Sequence, residues 1–449
     1  MNADELYISF FFPPSDYVSG LTVYKRILDG KKTVDVLHTG FETDFEIDDY
    51  INNRITVGVG CDNDSWECIF KFVEKSLDAL DHDYEKIHSR SWLMANHVLA
   101  CEYKFLNPDV FWSAEFSDPL MLNLSNKVRD YKSRRVNNQD YLDNINNHIL
   151  NLNESYNTSF PLVEMGASTY FVVEYLTFLF ADEIVFTNEN QRKAMLDQFP
   201  VDIKDFVMGK SIVKMHPTLD EKYYHIKKAD IELYKDYINI AYFGKDYYGQ
   251  RNFEALFYAV ESLNHKFKDK LKIHFFMENT DLLKRLIAPL KSSDNFKISK
   301  PLKYFEFLNA TTRFDVLIVN DVDTHGDWEA NPYLPSKVSD YLGSKNDVWA
   351  FCEPGSTLSK LDLKYKSSIN DFNSCRSELV KILDDYGYGD EDYSFNDYYY
   401  IERLNTLNVL FESEFNRRMK LKKENKSLKK INKDILSSKS WKLTSIFRR

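Results

Sequence analysis

Short apolar segments rich in Val, Ile, Phe and Tyr alternate along the chain with longer segments of helical periodicity. The alternation is typical of α/β proteins, because the strands of a parallel sheet are buried on both faces and helices connect them. One series of predicted strands comprises Leu6–Phe12, Val34–His38, Ile55–Val59, Asp109–Trp112, Glu183–Phe186 and Ser211–Met215. A second series comprises Ile238–Phe243, Leu271–Phe276, Phe296–Ile298, Asp315–Val319 and Val348–Phe351.

Each series has the size of one doubly wound domain, so the pattern predicts two Rossmann-like domains. Pro217 interrupts the segment between them, and the chain becomes helical after Asp371. We therefore predict a first domain over residues 1–215, a second over 216–400, and a crossover helix with a tail over 401–449. Such sheets bind ligands beyond the carboxyl ends of their strands, in the cleft between domains, so site residues should follow strands.

Composition narrows the functional classes. The chain has 449 residues, of which 43% are hydrophobic and 28% charged, as in soluble globular proteins. Only 14 residues are glycine, and neither the P-loop pattern nor G-x-G-x-x-G occurs, which argues against a P-loop NTPase and an ordinary dinucleotide dehydrogenase. The five cysteines are odd in number, spread along the chain and never in C-x-x-C spacing, so we expect no disulfide framework and no zinc site, and we expect a reducing compartment. The acidic start and the longest apolar run, Tyr170–Ala181, predict neither export nor a membrane span.

The net charge of −11 is unevenly distributed. Arg417 to Arg449 contain 13 Lys and Arg residues but only two acidic residues, so the rest of the chain is strongly acidic. An acidic body argues against nucleic-acid binding. In the basic tail, Leu421, Leu428 and Ile435 are spaced by seven, which predicts a short heptad seam or an amphipathic helix.

The predicted strand Ile238–Phe243 leads into a glycine and two cations before the next helix. Gly244 allows the backbone to approach a ligand closely, while Lys245 and Arg251 bring positive charge to a helix entry. A diphosphate is stabilised at such a position, so this turn is a candidate nucleotide-diphosphate site. The alternative is a connecting loop with solvated charges.

A second candidate site follows the predicted strand Asp315–Val319. Ser336 and Lys337 lie at the start of a predicted helix, where anions are favoured, and Asp340 lies one turn further on. Lys337 would supply positive charge, and the Asp340 carboxylate would accept hydrogen bonds from a ribose diol. The alternative is a capped helix on the surface.

The tripeptide Asp321–Asp323 has the D-x-D pattern, in which paired carboxylates can hold a divalent metal ion. So short a pattern occurs frequently by chance, and here it follows a strand of the second series. We interpret it as a polar loop and expect no metal.

Three runs, in this order along the chain, resemble bacterial glycosyltransferases of family 4, which have the GT-B fold, and among them the members that build surface polysaccharides. They are Trp112–Pro119, Tyr242–Asn252, and Leu334–Leu342 followed by Val348–Gly355. The resemblance covers roughly residues 5–415, and Ser440–Arg448 also looks like a C-terminal ending found in many such enzymes. It implies an N-terminal acceptor domain, a C-terminal nucleotide-sugar domain and a last helix that packs back on the first domain.

Several residues match the family's donor-binding motifs. Gly244, Lys245 and Arg251 match its phosphate-binding turn, and Lys337 and Asp340 match its donor-binding helix. Many members place two glutamates eight residues apart, but here Asp340 is the second of these and Pro332 occupies the first position. A substitute for the missing carboxylate would be Asp327 or Glu329.

On the acceptor side, the loop after the first strand resembles the family's small-residue loop that faces the donor. It contains Asp16, Ser19 and Gly20. His97 and Asp118 are the other polar residues that we expect near the cleft. The resemblance implies retention of configuration, whereas inversion would need a base, for which Asp16, Asp118 and His97 are the candidates.

These observations predict a glycosyltransferase that moves a sugar from a nucleotide-diphosphate sugar to a hydroxyl of a growing cell-surface glycan or lipid-linked glycan. Arg251 and Lys337 would stabilise the departing diphosphate without a metal or another cofactor. We expect a cytoplasmic protein, peripheral on the inner face of the cell membrane through its basic tail, with homo-oligomerisation left open. The alternatives are a nucleotide-sugar epimerase of the same fold and a non-catalytic scaffold of a polysaccharide assembly complex.

Overall fold

The computed structural model describes most of the chain up to residue 388 and scattered residues beyond it. The described residues are 3–15, 17–40, 49–61, 64–91, 93–131, 134–245, 251–263, 265–278, 280–388, 402, 405–414, 416–417, 419–421, 424 and 427–428.

The first domain alternates strands and helices. Its elements are β1 Glu5–Phe11, α1 Val18–Gly30, β2 Val34–Thr39, β3 Ile51–Thr56, α2 Trp66–Ala79, β4 Lys86–Ser91, α3 Ala95–Leu106, β5 Phe111–Phe116, α4 Gln139–Tyr156, α5 Thr169–Phe180, β6 Glu183–Phe186, α6 Glu189–Leu196, α7 Val201–Met208 and β7 Ser211–Val213. The strands form a parallel sheet in the order β3-β2-β1-β4-β5-β6-β7.

The second domain repeats this architecture after a linker with a 3₁₀ turn at Glu221–His225. Its elements are β8 Ile238–Gly244, α8 Glu254–Ser262, α9 His265–Lys268, β9 Leu271–Met277, α10 Asp281–Ile287, β10 Phe296–Ser299, α11 Tyr304–Thr311, β11 Val316–Asn320, α12 Lys337–Ser344, β12 Asp347–Cys352, α13 Thr357–Lys360, β13 Tyr365–Ser368 and α14 Phe372–Leu383. The parallel strands are ordered β10-β9-β8-β11-β12-β13. The prediction of two parallel α/β sheets is confirmed.

Two strands were not predicted from the sequence. These are β4, with the sequence Lys-Ile-His-Ser-Arg-Ser, and β13, with the sequence Tyr-Lys-Ser-Ser. Both lack a long apolar run, yet β4 lies between β1 and β5 inside the sheet. Its polar side chains are buried because neighbouring elements supply partners, such as His97 for Ser89 and Glu115 for Arg90.

The expectation that no cysteines pair is wrong for Cys61 and Cys68. They form a disulfide, with 5.9 Å between their Cα atoms, while the other three cysteines are free and buried. Cys68 lies in the first turn of α2 and Cys61 in the loop before this helix. Ser65 caps α2 by accepting a hydrogen bond from the backbone N–H of Cys68. The cysteine pattern therefore gives no argument for a reducing compartment.

One apolar core spans the two domains. Side chains of α1, such as Tyr24 and Ile27, belong to the same buried cluster as Tyr224 of the linker and Val338 and Tyr341 of α12. Two further clusters fill the remaining faces of the first and second sheets. The shared core brings α1 of the first domain against α12 of the second.

The described residues between 402 and 428 are helical, and Phe411 packs on Tyr258 and Phe372 of the second domain. The crossover onto the first domain stays a prediction. Leu421 and Leu428 are exposed, while Ile435 and residues 440–448 lie outside the described residues. None of the described helices combines the length and the apolar character needed to cross a bilayer.

Candidate active site

The candidate site lies at the switch point of the second sheet. From β8 the chain builds β9 and β10 on one side and later β11, β12 and β13 on the other, so the carboxyl ends of β8 and β11 flank this point. Open parallel sheets bind ligands in the crevice that forms there. The strand β8 ends at Gly244, where an added Cβ would lie 2.6 Å from the Tyr242 Oη atom, so a residue without a side chain is required.

The predicted phosphate-binding cations gather around this crevice. Lys337 is the first residue of α12, half-buried, with its Nζ atom 5.0 Å from the centre of the Phe307 ring. Burial is the largest cause that lowers the pKa of Lys337 to about 8, and the charges of Arg251, Lys25 and Lys245 contribute to this value against the opposing effect of Asp340. Four cations thus share one region, an arrangement suited to a diphosphate.

Arg251 and Lys245 differ in exposure. The Arg251 Nη1 atom lies 3.5 Å from Tyr242 Oη, just before α8, whereas Lys245 is largely exposed and lies 3.7 Å from a Glu278 carboxylate oxygen. The charge of Arg251 also acts on Asp321, at the end of β11. Arg251 is therefore close to both strands that flank the switch point.

The predicted ribose ligand, Asp340, is held by a residue of the first domain. The Lys25 Nζ atom of α1 lies 2.8 Å from Asp340 Oδ1 and donates to Ser339 Oγ at 2.7 Å. Tyr304 contributes a longer contact of 3.4 Å from its hydroxyl to Asp340 Oδ1. The Lys25 and Asp340 side chains are only 3% and 7% exposed, so the ion pair is buried between the domains.

Lys25 was missed by sequence reasoning. The only available signal was a Lys-Arg pair, Lys25 and Arg26, within the mostly apolar helix α1, where charged residues are not expected on the buried face. Ser336, the N-cap residue of α12, is half-buried and makes no side-chain capping hydrogen bond.

A second charged cluster lies in the first domain around Glu115 of β5. Arg26 donates from Nε to Glu115 Oε2 at 3.0 Å, and Arg90 of β4 donates to Oε1 at 3.2 Å. Burial raises the pKa of Glu115, but the two guanidinium groups outweigh this effect and hold it at about 2. Arg90 also donates to Ser19 Oγ at 3.0 Å, which connects the predicted acceptor-side loop to this cluster.

The structure brings Asp118 and Arg251 together across the two domains. Asp118 follows β5 and is half-buried. Burial raises the pKa of its carboxyl group, while Arg90 and Arg129 of the first domain and Arg251 of the second lower it. The Asp118 carboxyl group is thus influenced by cations of both domains.

The other predicted first-domain residues have different surroundings. His97 is buried in the core of the first domain, with Nδ1 2.7 Å from Ser89 Oγ and its ring 4.9 Å from that of Phe116. Burial and the Arg90 charge lower the pKa of His97 to about 3, so it is neutral at pH 7. Gly20 is buried where α1 meets β1. A Cβ at this position would collide with the Phe11 carbonyl oxygen, so the close approach of α1 to β1 requires glycine. Asp16 lies outside the described residues.

The D-x-D carboxylates make separate contacts within the protein. Asp321 Oδ2 accepts a hydrogen bond from the Glu353 backbone N–H at 2.9 Å, while Asp323 Oδ2 accepts from Asn370 Nδ2 at 3.0 Å. In the part of the chain that the structure describes, no group of three His, Cys, Asp or Glu side chains is placed to hold a metal ion.

The loop before α12 is tied to the first domain. The Pro332 carbonyl accepts a hydrogen bond from Asn188 Nδ2 at 3.0 Å, and Glu329 pairs with Lys193 at 2.6 Å. Asp327, the other suggested substitute for the missing carboxylate, is exposed. Contacts from α6 therefore position the segment that precedes the donor-binding helix.

No family model and no curated protein sequence matches the chain. Solved structures do match it along nearly its whole length. HepE from Anabaena, in complex with UDP and glucose, has a TM-score of 0.52 and 10% identity over 92% of this chain and 100% of its own. An α,α-trehalose-phosphate synthase (UDP-forming) from Burkholderia xenovorans, in complex with glucose-6-phosphate, has a TM-score of 0.54 and 8% identity over 93% of this chain and 100% of its own. A protein from E. coli described as trehalose-6-phosphate, bound with UDP-2-fluoro glucose, has a TM-score of 0.51 and 11% identity over 91% of this chain and 95% of its own.

At such low identity the comparisons show the fold alone. The chain has the GT-B fold, with two parallel α/β sheets facing each other across the region described above.

Proposed function

We propose that the protein is a glycosyltransferase that takes a sugar from a nucleotide-diphosphate sugar. The observation that carries this proposal is the gathering of Arg251, Lys337, Lys25 and Lys245 at the switch point, where burial first and the neighbouring cations second depress the Lys337 pKa. A polyanionic ligand compensates such an accumulation of positive charge. The GT-B structures that resemble the chain include complexes with UDP and with UDP-2-fluoro glucose, so a uridine diphosphate donor is the first to test.

In the proposed reaction, the bond between the donor sugar and the diphosphate breaks as an acceptor hydroxyl attacks. Arg251 and Lys337 stabilise the negative charge that develops on the leaving diphosphate, with Lys245 near the crevice mouth. No metal or other cofactor is invoked. For retention no dedicated protein base is required, whereas for inversion Asp118 is a candidate base, since its carboxyl group lies near the cation that binds the diphosphate.

The acceptor side remains a broader proposal. We infer a hydroxyl of a growing cell-surface or lipid-linked glycan, delivered at the inner face of the cell membrane, where the basic tail attaches. The charge of that tail and the resemblance to surface-polysaccharide enzymes of family 4 support this inference.

A thermal-shift screen of the full-length protein tests the donor proposal. UDP, GDP, UDP-glucose, UDP-galactose and UDP-N-acetylglucosamine are added separately, and a ligand at 100 times its dissociation constant should stabilise the protein by about 2.7 kcal/mol. Product analysis of the stabilising nucleotide sugar then separates the alternatives. Interconversion of nucleotide sugars without an acceptor would identify an epimerase, and no binding to any nucleotide would favour the scaffold.

A further inference from the structure

Three buried polar atoms at the carboxyl end of β11 have no hydrogen-bond partner among the described residues. They are Nδ2 and Oδ1 of Asn320 and Oδ1 of Asp321. Asn320 is 1% exposed and Asp321 is fully buried, so neither side chain is solvated. A buried polar group without a partner is unfavourable, because it has lost its hydrogen bonds to water and gained none in the protein. Two adjacent residues with such groups indicate a function other than stabilisation of the fold.

Asn320 lies at the switch point of the second sheet. Ile318 of β11 is paired in parallel register with Tyr242 of β8, so Asn320, two residues later, lies beside Gly244 at the strand ends. Residues two apart along a strand lie on the same face, so Asn320 is on the face of Ile318 and Tyr242. On that face the Tyr242 hydroxyl lies 3.5 Å from Arg251 Nη1.

The chemistry of Asn320 differs from that of the surrounding cations. A deprotonated diphosphate offers acceptors only, and Arg251 and Lys337 already supply donors for it. The Asn320 amide has a donor and an acceptor without partners, which together match a hydroxyl group, since a hydroxyl both donates and accepts. Asp321 adds a further unpartnered oxygen on the neighbouring residue.

Asp321 can act as a donor or an acceptor near neutral pH. Its Oδ2 atom accepts the hydrogen bond from the Glu353 backbone, and the Ser356 side chain also stabilises the charged carboxylate, so Oδ1 is the atom that remains for a ligand. Burial raises the pKa of Asp321 to about 7, so the carboxyl group carries a proton in part of the molecules. Asn320 and Asp321 together therefore fit a ligand that presents more than one hydroxyl.

We propose that Asn320, assisted by Asp321, binds hydroxyls of the glycosyl group of the donor at the switch point of the second sheet. This assignment rests on the proposed function and adds residues to the donor site that the motifs do not contain. It divides the site by chemistry, with cations for the diphosphate and a neutral amide for the sugar.

The test uses Asn320→Leu in the full-length protein. Leu has a similar volume and removes the unpartnered amide, so we expect the ligand-free variant to unfold at the same temperature as the wild type or a higher one. Affinities for UDP and for UDP-glucose, UDP-galactose or UDP-N-acetylglucosamine, whichever stabilises the wild type most, are measured by calorimetry. We expect UDP affinity within twofold of wild type and a loss of about tenfold in affinity for the UDP-sugar.

The matched control is Asn239→Leu. Asn239 is also a buried residue of the second sheet, but it lies on β8 at the opposite end, and its amide donates to the carbonyls of Tyr234 and Tyr237. This control should unfold at a lower temperature, with the ratio of the UDP and UDP-sugar affinities unchanged. If Asn320→Leu does not fold, Asn320→Ser provides the same ratio with a smaller polar side chain.

Two results would overturn the assignment of Asn320. Destabilisation like that of Asn239→Leu with an unchanged affinity ratio would show a structural role. An equal loss of affinity for UDP and the UDP-sugar would place the contact on the nucleotide or its phosphates. If the wild type binds neither UDP nor any UDP-sugar in the screen, the proposed function itself fails for uridine donors, and this inference fails with it.

Discussion

Lys337 is the residue whose surroundings are most specific for an anionic ligand. It lies at the first turn of α12, near Arg251, Lys25 and Lys245, and Asp340 opposes the effect of these charges on its pKa. A helix N-terminus adds partial positive charge. A side chain in this environment is poorly solvated and repelled by its neighbours, so a bound diphosphate would stabilise its charged form.

Replacing Arg251 or Lys337 by Ala should weaken UDP binding. Each lost charged hydrogen bond is expected to cost about 1.5–3 kcal/mol, which is roughly a 10- to 150-fold increase in the dissociation constant. Calorimetric titration with UDP measures the change. Lys345→Ala is the control, because Lys345 follows the same helix but pairs with Glu221 on the surface. Unchanged UDP affinity in both site variants would contradict the diphosphate assignment.

The depressed pKa of Lys337 predicts a pH dependence of donor binding. Below about pH 8 the ligand-free protein carries the charged ammonium, and above it the neutral amine predominates. UDP affinity should therefore fall as the pH rises from 7 to 9. In Lys337→Arg the guanidinium stays charged throughout this range, so its affinity should fall less. Parallel profiles for the two proteins would show that another group titrates.

At the scale of elements, the packing of α1 against α12 decides how the domains meet. The two helices share an apolar core, and within it Lys25 of α1 pairs with Asp340 of α12. The pair is buried, so each charge depends on the other for compensation. The contact couples the first domain to the helix predicted to bind the donor.

Lys25→Met should destabilise the protein by about 3–5 kcal/mol, because it leaves the Asp340 carboxylate buried without its cation. Adding Asp340→Leu removes the unpaired charge and should restore part of this loss. Urea unfolding of both variants measures the difference. Lys31→Met is the matched control just after the end of the same helix, where the partner Asp220 and Lys31 itself are about half exposed, so a much smaller loss is expected. Similar losses of unfolding free energy for Lys25→Met and Lys31→Met would show that the buried ion pair contributes no more to stability than the exposed pair.

At the scale of the whole molecule, charge is separated between an acidic body and a basic C-terminal segment. Within the acidic body, the crevice at the switch point of the second sheet is an exception, because several cations gather there. We propose that the crevice binds a small anionic ligand and that the basic segment contacts an extended anionic surface.

Transfer should need no divalent metal, because fixed cations stabilise the leaving diphosphate. We expect full activity in EDTA, measured as release of UDP in the presence of an acceptor glycan. The variant Asp323→Ala controls for the D-x-D pattern, because it leaves Asp321 in place. Loss of activity on chelation, recovery with manganese or magnesium, and insensitivity of Asp323→Ala to added metal would together establish the metal-binding interpretation instead.

Truncation after Asn416 should abolish sedimentation with anionic liposomes. Each Lys or Arg near such a surface contributes about 1 kcal/mol, and Trp441 and Phe447 add apolar burial. Transfer to a soluble acceptor should persist, because both domains remain. High salt should release part of the full-length protein. Equal sedimentation of the truncated and complete proteins at low salt would exclude an electrostatic anchor in this segment.

Sequence periodicity determined the two-domain α/β architecture. Runs such as Ile238–Phe243 and Asp315–Val319 are apolar because both faces of a parallel strand are buried, and this requirement is local. The same pattern placed Gly244, Lys245, Arg251 and Lys337 after strands or at helix entries, where the structure also has them.

Only the tertiary structure decided which polar residues share a site. β4 was missed because its Ser89 and Arg90 are compensated by His97 and Glu115, residues of other elements. Lys25 and Asp340 are 315 positions apart, and nothing local to either indicates a pair. A polar side chain becomes acceptable in a core only through its partner, and that partner is set by how helices and sheets pack. Spacing along the chain therefore predicts the elements, whereas their packing decides the charge, protonation and contacts of the site.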